Sequence, residues 1–359
     1  MIRLPEKATR RLTELLGESS VHHLSPPLQI RPLILYESIG VLLARRQDIW
    51  TNCSYTPRDY GYTVAFSSRI RASHSNPAGR AVSGEFDIVA IDRQSCLLVS
   101  GLSSEEDALG PELLAERVHP IAARPIVSAE QIRDNVQALA EKRDWEAATT
   151  DVIGYDETGS YRRDTKKQEL EKALLEMREQ RRRPYSLGVS FRNPEGKEVL
   201  RAYFKINGAV ALHKGSEVLG PVVYYVIPAV RRFLQEEKTY SAVETCDSPF
   251  AQQAVELTFR FQTFEDIERM KQICLNLADE RGLSVSIVHA NPYVQAQVVD
   301  LLYGAVVSLL IMDQKTVTLV PRSGDCSRTL GRIATSLFRF AGEGTIRISG
   351  GTGHKAEPE

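Results

Sequence analysis

The sequence predicts an α+β protein in which antiparallel sheets are backed by helices. Three observations lead to this prediction. Stretches with an apolar period of two alternate with stretches of helical period, neighbouring strands are joined by short turns, and a strand-turn-strand-helix unit recurs. With 42% hydrophobic and 25% charged residues the composition is that of a globular protein, and 359 residues are expected to form more than one domain.

In the N-terminal region, residues 28–46 are predicted to form a helix. Pro32 suits a first turn, and leucines and isoleucines follow at helical spacing. From Tyr62 to Ile70 the apolar residues alternate with polar ones, which is typical of a half-buried strand. Segments 84–91 and 96–101 read as two further strands joined by a tight turn, and helices are expected near 104–117 and from Ser128 to about Lys142.

The middle of the chain begins with a polar, glycine-containing segment, 148–164, which is predicted to be a linker. A charged helix is expected from Thr165 to Arg182, ended by Pro184. Three strands follow, and Asn207-Gly208 between the second and third is a strong hairpin signal. A helix over about 222–236 completes this part.

The C-terminal region has the clearest pattern. Its predicted elements are a strand (254–261), a helix capped by Thr263 with Asp266 and ended by Gly282, a strand (283–289), a short helix (294–302), a hairpin (305–321), a helix (326–340) and an edge strand (344–349). We therefore predict domains at 1–150, 160–240 and 250–349, followed by a disordered tail at 350–359.

A strand, a tight turn, a second strand and a helix recur three times in the chain. The hairpins are 87–101, 202–215 and 308–321, and each second strand ends in a small or turn residue before the predicted helix: Gly101, Gly215 and Pro321. Little sequence identity accompanies this order, so the alternatives are repetition of one unit and chance convergence of hairpin-plus-helix units.

The order of elements over 254–340, and the rhythm of CLLVSGLSSEEDALGPELLAERV, resemble the repeat of the TATA-binding-protein fold. In that family a curved antiparallel sheet carries helices on its convex face. The resemblance is one of topology. The paired phenylalanines that the family inserts into DNA have no counterparts that we can place here, so the resemblance implies a fold and not DNA binding.

GEFDIVAID (84–92) resembles the first half of a PD-(D/E)XK nuclease core, in which carboxylates on two strands hold a divalent metal. Glu85 and Asp87 match the acidic strand, but the expected Glu and Lys of the next strand fall on Gly101 and Ser103. Without those groups the metal site is incomplete. The resemblance implies at most an inactive nuclease relative, and the alternative is an ordinary hairpin.

The remaining chemistry-bearing residues give no complete motif. The five cysteines lie far apart, which predicts reduced thiols rather than disulfides or a zinc site. The seven histidines form no metal-binding or triad pattern, and the glycine-rich GEGTIRISGGTG lacks the features of a phosphate-binding loop. We expect no cofactor, no metal and no catalytic residues, although a catalytic triad assembled from distant positions is the alternative.

The basic residues are concentrated in one segment. Between Tyr161 and Arg183 there are nine lysines or arginines and five acids, an excess of four positive charges, whereas the whole chain has a net charge of −1. A solvated single helix supported by pairs of opposite charge is one interpretation, and phosphate binding is the other. The candidate nucleic-acid-binding residues are Arg69, Arg71, Arg162, Arg163, Lys166, Lys167, Arg181, Arg182 and Arg183.

These patterns favour a non-enzymatic binding or assembly component that contacts nucleic-acid backbone or a protein partner, a second copy of the chain included. The alternatives are a nuclease-related protein with an incomplete metal site and a protein-protein scaffold. The charged N-terminus does not resemble a signal peptide, and the longest apolar stretch is too short to span a bilayer. We therefore expect a cytoplasmic protein that contacts no membrane.

Overall fold

The computed structural model of the chain is α+β, as predicted, and divides into two compact units: 1–232 (unit 1) and 233–359 (unit 2). The structure describes residues 4–18, 28–44, 52–70, 80–101, 122–125, 127, 129–156, 159–164, 183–215, 217–241, 253–259, 264, 266–280, 282–324, 326–341 and 344–349. Each unit is built on one antiparallel sheet, and the two units are described separately.

In the first half of unit 1 the structure describes two helices and five strands. These are α1 (Glu6–Glu18), β1 (Leu28–Leu35), α2 (Ile39–Ala44), β2 (Asn52–Arg58), β3 (Gly61–Ile70), β4 (Arg80–Ala90) and β5 (Ser95–Gly101). Every paired neighbour is antiparallel, and the strands lie in the order β2-β3-β4-β5-β1. β1, the first strand in sequence, therefore pairs with β5, the last strand of this half.

The second half of unit 1 extends the same sheet. Its elements are β6 (Ala122–Ala123), α3 (Ala129–Arg143), β7 (Glu146–Asp156), β8 (Gly159–Asp164), β9 (Arg183–Arg192), β10 (Glu198–Lys205), β11 (Val210–Gly215), a helical turn (Leu219–Pro221), a π-helical segment (Val222–Val226) and the first residues of α4 (Ile227–Ser241), which belongs to unit 2 from Phe233 onward. The order continues from β1 as β11-β10-β9-β7-β8, and β6 pairs with β1. This sheet contains strands from both the predicted 1–150 and 160–240 regions.

The two faces of the unit 1 sheet bury different cores. One core contains Leu28 and Ile30 of β1 together with apolar residues of α1, α3 and the π-helical segment. The other contains Leu33 and Leu35 of β1 and residues of α2, and it covers only the β2-to-β1 half. Successive side chains of a strand point to opposite faces, which is why one strand supplies both cores.

Unit 2 contains a six-stranded antiparallel sheet with both long helices on one face, as predicted. Its elements are β12 (Ala254–Phe259), α5 (Ile267–Asn276), a 3-10 turn (Leu277–Asp279), β13 (Leu283–His289), β14 (Val294–Asp300), β15 (Ala305–Ile311), β16 (Thr316–Ser323), α6 (Cys326–Ala341) and β17 (Gly344–Ser349). The strands lie in the order β13-β14-β15-β16-β12-β17. Alternate residues of the strands form a single core with α5 and α6.

One topology recurs in the chain. Repeat 1 (β1-α2-β2-β3-β4-β5) and repeat 3 (β12-α5-β13-β14-β15-β16) both consist of a strand, a helix and four strands, and in both the first strand pairs with the last. Repeat 2 (α3-β7-β9-β10-β11) has the helix and the four successive strands, and β8 is an addition outside β7. Helices follow the last strand in repeats 2 and 3, whereas the helix predicted near 104–117 lies outside the described residues.

The prediction of a helix over 28–46 is wrong in its first half, because 28–35 form strand β1. The stretch is apolar on both faces since both are covered, so it lacks the alternation that would have marked a strand. Pro32 is tolerated because β11 pairs with β1 only at 28–30 and β6 only at 34–35, which leaves Pro32 without a partner strand on that side. The helical spacing is correct only for α2.

Two other segments also form strands. The predicted linker 148–164 is β7 and β8, and the predicted helix 294–302 is β14, whose Val294, Ala296 and Val298 are buried while the residues between them face outward. The cap of α5 is Asp266, which accepts a hydrogen bond from the Arg269 N–H at 2.7 Å. The charged helix expected over 165–182, Thr263 and the tail 350–359 lie outside the described residues.

Several short-range predictions are confirmed. The strands over 62–70, 84–91 and 96–101 are β3, β4 and β5, and the Asn207-Gly208 hairpin joins β10 to β11. Gly208 adopts a φ of 74°, which side chains other than glycine rarely adopt. The helices predicted near 129–142, 222–236 and 326–340 and the edge strand 344–349 are present as well.

Candidate functional sites

Three aspartates are almost completely buried, at 4% exposure for Asp87, 3% for Asp151 and none for Asp300. A buried carboxylate is costly unless donors surround it, so each of these positions is either a structural anchor or a site for chemistry. The hydrogen-bond partners of each carboxylate distinguish a structural anchor from a site for chemistry.

Asp87, the acid of the nuclease-like segment, is surrounded by donors from three elements. Arg11 on α1 donates from Nε to Oδ2 at 2.9 Å, and its Nη2 lies 2.9 Å from the same oxygen. The Tyr60 and Thr63 hydroxyls donate to Oδ1 at 2.9 and 2.8 Å. Both oxygens are thus occupied by protein donors, which is the geometry of a structural anchor for α1 on the sheet. Glu85 is exposed.

Asp151 belongs to a polar row that crosses the unit 1 sheet. Its Oδ2 accepts a hydrogen bond from the Tyr203 hydroxyl at 2.9 Å, and its Oδ1 accepts one from Thr150 at 2.9 Å. The His213 ring lies edge-on to Tyr203 with 5.0 Å between centroids. Six residues share the row by cross-strand register: Ser100, Gln29, Ala211, Tyr203, Gly188 and Asp151.

Gly188 makes room for this carboxylate. A Cβ at position 188 would lie 2.0 Å from Asp151 Oδ1 and 2.8 Å from Thr150 Oγ1. Asp151, Tyr203 and Gly188 are not among the residues predicted from the sequence. The available signal was an aspartate within the β-branched run Thr149 to Ile153, where a charged residue needs a partner.

Two further polar groups lie near this row. Arg31 is 3% exposed; its Nη1 donates to Ser100 at 3.3 Å and its Nη2 contacts Gln29 Oε1. Glu198 accepts hydrogen bonds at 2.7 Å from Ser190 and Arg201, and Lys214 Nζ lies 3.2 Å away. Burial raises the pKa of Glu198, but these hydrogen bonds and charges outweigh burial and lower it to about 2.

Asp300 anchors helix α6 in unit 2. Its Oδ2 lies 2.5 Å from Arg332 Nη1 and accepts a hydrogen bond from Thr329 at 3.0 Å, and its Oδ1 accepts one from the Leu302 N–H at 3.0 Å. The guanidinium groups of Arg328 and Arg332 lie over the Tyr303 ring, 5.6 and 5.8 Å from its centroid. Burial raises the pKa of Tyr303, although the two arginines act in the opposite direction.

The structure brings some of the predicted basic residues together. Arg162 and Arg163 lie on β8, the last strand of the unit 1 sheet, and Arg183 begins β9, on the other side of β7. Arg69 lies on β3, eight strand positions from β8, which is about 38 Å along the sheet. Arg71, Lys166, Lys167, Arg181 and Arg182 lie outside the described residues.

The cysteines that the structure describes are Cys53, Cys96, Cys274 and Cys326, all with reduced thiols. Burial raises the pKa of Cys96 and Cys274 to about 12, so these two thiols are poor nucleophiles. Within the described ranges, no group of three or more His, Cys, Asp or Glu side chains is placed to hold a metal ion. The described helices include none that is long and apolar enough to cross a membrane.

The unit 2 sheet has an outer face, defined as the side opposite α5 and α6, and no described helix lies on it. The residues of the strands that point to this side are mostly uncharged: Ala254, Glu256, Thr258, Ser284, Ser286, Val288, His289, Gln295, Gln297, Val299, Val306, Ser308, Leu310, Thr316, Thr318, Val320, Arg322, Ser323, Thr345 and Arg347. Glu256 and Arg347 are cross-strand neighbours, and Arg322 donates to Ser308 at 2.8 Å.

In comparisons with known proteins, no family model matches the chain, and no curated protein is similar to it in sequence.

Proposed function

We propose that this chain is a non-enzymatic binding or assembly component, and that a protein partner docks on the outer face of unit 2. The observation that carries the proposal is the contrast between the two sides of that sheet. One side is covered by α5 and α6, and the other is a continuous surface of valine, leucine, threonine, serine and glutamine. Side chains of these types hydrogen-bond and pack without the desolvation cost of charges.

The charge of the outer face favours a protein over nucleic acid. Its charged residues in the described strands are Glu256, Arg322 and Arg347, and Glu256 faces Arg347 across neighbouring strands. Binding to phosphate backbone depends on several lysines or arginines, each releasing counterions. Protein interfaces, in contrast, are depleted of charged residues at their centres.

The area of the outer face of unit 2 determines how strongly a partner is expected to bind. Six strands at about 4.8 Å spacing and strands of about six residues give a plane of roughly 24 by 20 Å. That is about 500 Å² per partner, in the class of weak or transient complexes. The resemblance to the TATA-binding-protein repeat belongs to the same proposal, because helices on one face leave the opposite face available to a partner.

The buried acids also support a binding role. The oxygens of Asp87, Asp151 and Asp300 each accept hydrogen bonds from fixed neighbours at 2.8 to 3.0 Å. A general base needs a lone pair directed at the substrate, and a metal ligand needs one directed at the ion. These carboxylates direct theirs at arginine, tyrosine, threonine and backbone donors.

A matched pair of substitutions tests the proposal. Gln297 lies on the outer face and Gln272 is exposed on α5, so Gln297→Lys and Gln272→Lys introduce the same charge on opposite sides. Proteins retained by the immobilised chain are quantified for both variants. We expect a set that Gln272→Lys retains and Gln297→Lys loses, unchanged by nuclease treatment.

Two outcomes contradict the proposal. If both variants retain the same proteins as the wild type, the outer face is not where a partner docks. If nuclease treatment removes the retained set, nucleic acid rather than a protein is bound.

A second candidate function is contact with nucleic-acid backbone through segment 161–183, as the sequence predicts. The specific observation is that Arg162 and Arg163 occupy the last strand of the sheet, two strand positions from Arg183. Binding of a random eight-base-pair duplex, about 27 Å long, should weaken steeply with salt. Replacing Arg181, Arg182 and Arg183 by Ala should flatten that slope and leave thermal stability nearly unchanged.

Arg69 and Arg71 provide the control for this experiment. Position 69 is about 38 Å along the sheet from β8, so a duplex of about 27 Å cannot contact both regions. Replacing Arg69 and Arg71 by Ala should therefore leave the slope unchanged. Wild-type chain that does not bind at low salt, or an Arg181-Arg183 variant that binds like wild type, would exclude the second candidate.

A further inference from the structure

The edge of the unit 2 sheet is separate from the outer face, and strand pairing there does not depend on the proposed docking. In repeat 1 the first strand, β1, is not an edge. Its outer side pairs with β11 at 28–30 and with β6 at 34–35, so repeat 2 continues the sheet there. The chain thus uses the outer side of a repeat's first strand to join two repeats.

In repeat 3 the equivalent side of β12 is covered by β17 instead. Residues 254–259 pair antiparallel with residues 349–344, in unbroken register from Ala254 opposite Ser349 to Phe259 opposite Gly344. β17 pairs with no other described strand and forms one edge of the sheet. It occupies on β12 the position that a second repeat occupies on β1.

β17 is held by its main-chain ladder with β12 and by contacts at three of its residues. Ile346 and Ile348 point to the core side and pack against the core while remaining partly buried, whereas Val255 and Leu257 of β12 are completely buried. Gly344 packs closely, since a Cβ there would lie 2.6 Å from the Thr258 carbonyl oxygen. The strand therefore fits β12 through the two isoleucines and the glycine as well as through the ladder.

We propose that the outer side of β12 is a strand-docking site, and that β17 of a second copy of this chain occupies it by strand exchange. A second copy fits because its β17 presents the same register, the same two isoleucines and the glycine that the close approach requires. Addition of a strand to a sheet edge gives affinity through main-chain hydrogen bonds, and pockets for alternate side chains give specificity. The β17 strand of the same chain competes for this site at its own effective concentration. The fraction of exchanged chains should therefore increase with protein concentration.

Disulfide trapping between two tagged copies tests the proposal. Thr258 and Thr345 are exposed and directly opposite each other in register, a separation that a disulfide can bridge. One full-length copy carries Thr258→Cys, and a copy of different size carries Thr345→Cys. The two are mixed at high concentration, oxidised and separated by mass.

We expect a disulfide-linked species that contains both copies and increases with concentration. The matched control replaces Thr345→Cys by Arg347→Cys, which is exposed but opposite Glu256, so its Cα is too far from position 258 for a bridge. A yield that exceeds the control several-fold supports exchange. Equal yields at every concentration overturn it.

A second measurement does not depend on exchange between whole chains. A peptide of residues 344–349 that carries Thr345→Cys should form a disulfide with the full-length Thr258→Cys chain, since it can take the place of the chain's own β17. The same peptide with Ile346→Asp and Ile348→Asp should be trapped at least tenfold less, since both side chains point to the core. Equal trapping of the two peptides, or trapping of neither, would refute the docking site, whereas the Gln297→Lys test concerns the outer face alone.

Discussion

Replacing Asp300 by Asn should destabilise unit 2 substantially. Asp300 is completely buried, and its Oδ2 lies 2.5 Å from Nη1 of Arg332, whose side chain is 12% exposed. Asn keeps the shape and one acceptor oxygen for the Leu302 N–H, but it removes the negative charge. The substitution therefore leaves a mostly buried guanidinium beside a neutral amide.

The expected cost follows from that geometry. Breaking a buried ion pair by removing one partner costs about 3 to 5 kcal/mol. The remaining exposure of Arg332 and its position over the Tyr303 ring, 5.8 Å from the centroid, place the value near the lower end. A loss of about 3 kcal/mol corresponds to a decrease of roughly 150-fold in the folded-to-unfolded ratio of unit 2.

Hydrogen exchange of α6 and β14 measures this loss directly, because both elements contribute partners of the cluster. The double variant Asp300→Asn with Arg332→Met should lose at least 1 kcal/mol less than the sum of the single variants, as expected for residues in contact. Lys271→Met, which removes an exposed ion pair with Glu268, should cost only about 0.5 kcal/mol. A cost below that of Lys271→Met, or strict additivity in the double variant, would refute the reasoning.

Three other changes test the unit 1 sites. Gly188→Ala should cost about 1 to 3 kcal/mol in urea unfolding because its Cβ would collide with the Asp151 carboxylate. Gly101→Ala should cost less than about 1 kcal/mol, since no atom of the described residues lies within 4 Å of the added Cβ. The pKa of Glu198 is lowered from 4.5 to about 2. The contribution of this carboxylate to stability is therefore complete above about pH 4.5 and is lost as the pH falls towards 2. Glu198→Gln should make this acid-induced loss of stability smaller. The chain with Mg²⁺ or Mn²⁺ should cleave neither DNA nor RNA, and Asp87→Ala should lower the melting temperature; cleavage that Asp87→Ala abolishes would contradict this.

Elements with one exposed face could be predicted from the sequence. The alternation from Tyr62 to Ile70 and the apolar stripe of α6 each reflect one buried side, and local turn chemistry identified the Asn207-Gly208 hairpin. β1 could not be predicted in this way because both of its faces are covered. Its apolar run satisfies the helical period as well as the strand period, and only the sheet pairing distinguishes them.

The strands β7 and β14 were missed for a different reason. β7 contains Thr149, Thr150 and Asp151, so its composition is polar, and its strand character comes from pairing with β9. In β14, Val294 and Val298 alternate with glutamines that point to the outer face. Tertiary pairing overrides weak local preference in both strands.

The candidate sites depend even more on long-range contacts. Asp87 and Arg11 are 76 positions apart, and Asp151 and Tyr203 are 52 apart, so no local motif connects them. The sequence identified Asp87 as a notable residue but not its partners. In a sequence, a buried charge can be recognised only where it lies inside an apolar or β-branched run. The group that neutralises it is identified only by the fold.

Comparison of the repeats shows that most of the basic segment 161–183 lies in an insertion between two strands. In repeat 1 the first two strands after the helix, β2 and β3, are joined by Asp59 and Tyr60, and in repeat 3 the equivalent strands are joined by residues 290–293. In repeat 2 the equivalent strands, β7 and β9, still pair directly, yet residues 157–182 separate them in the chain. The pairing of β7 with β9 does not require this insertion, part of which forms β8 at the end of the sheet. Most of the positive charges of segment 161–183 lie within this insertion. Proteins often place binding functions in insertions of this kind on a fixed scaffold.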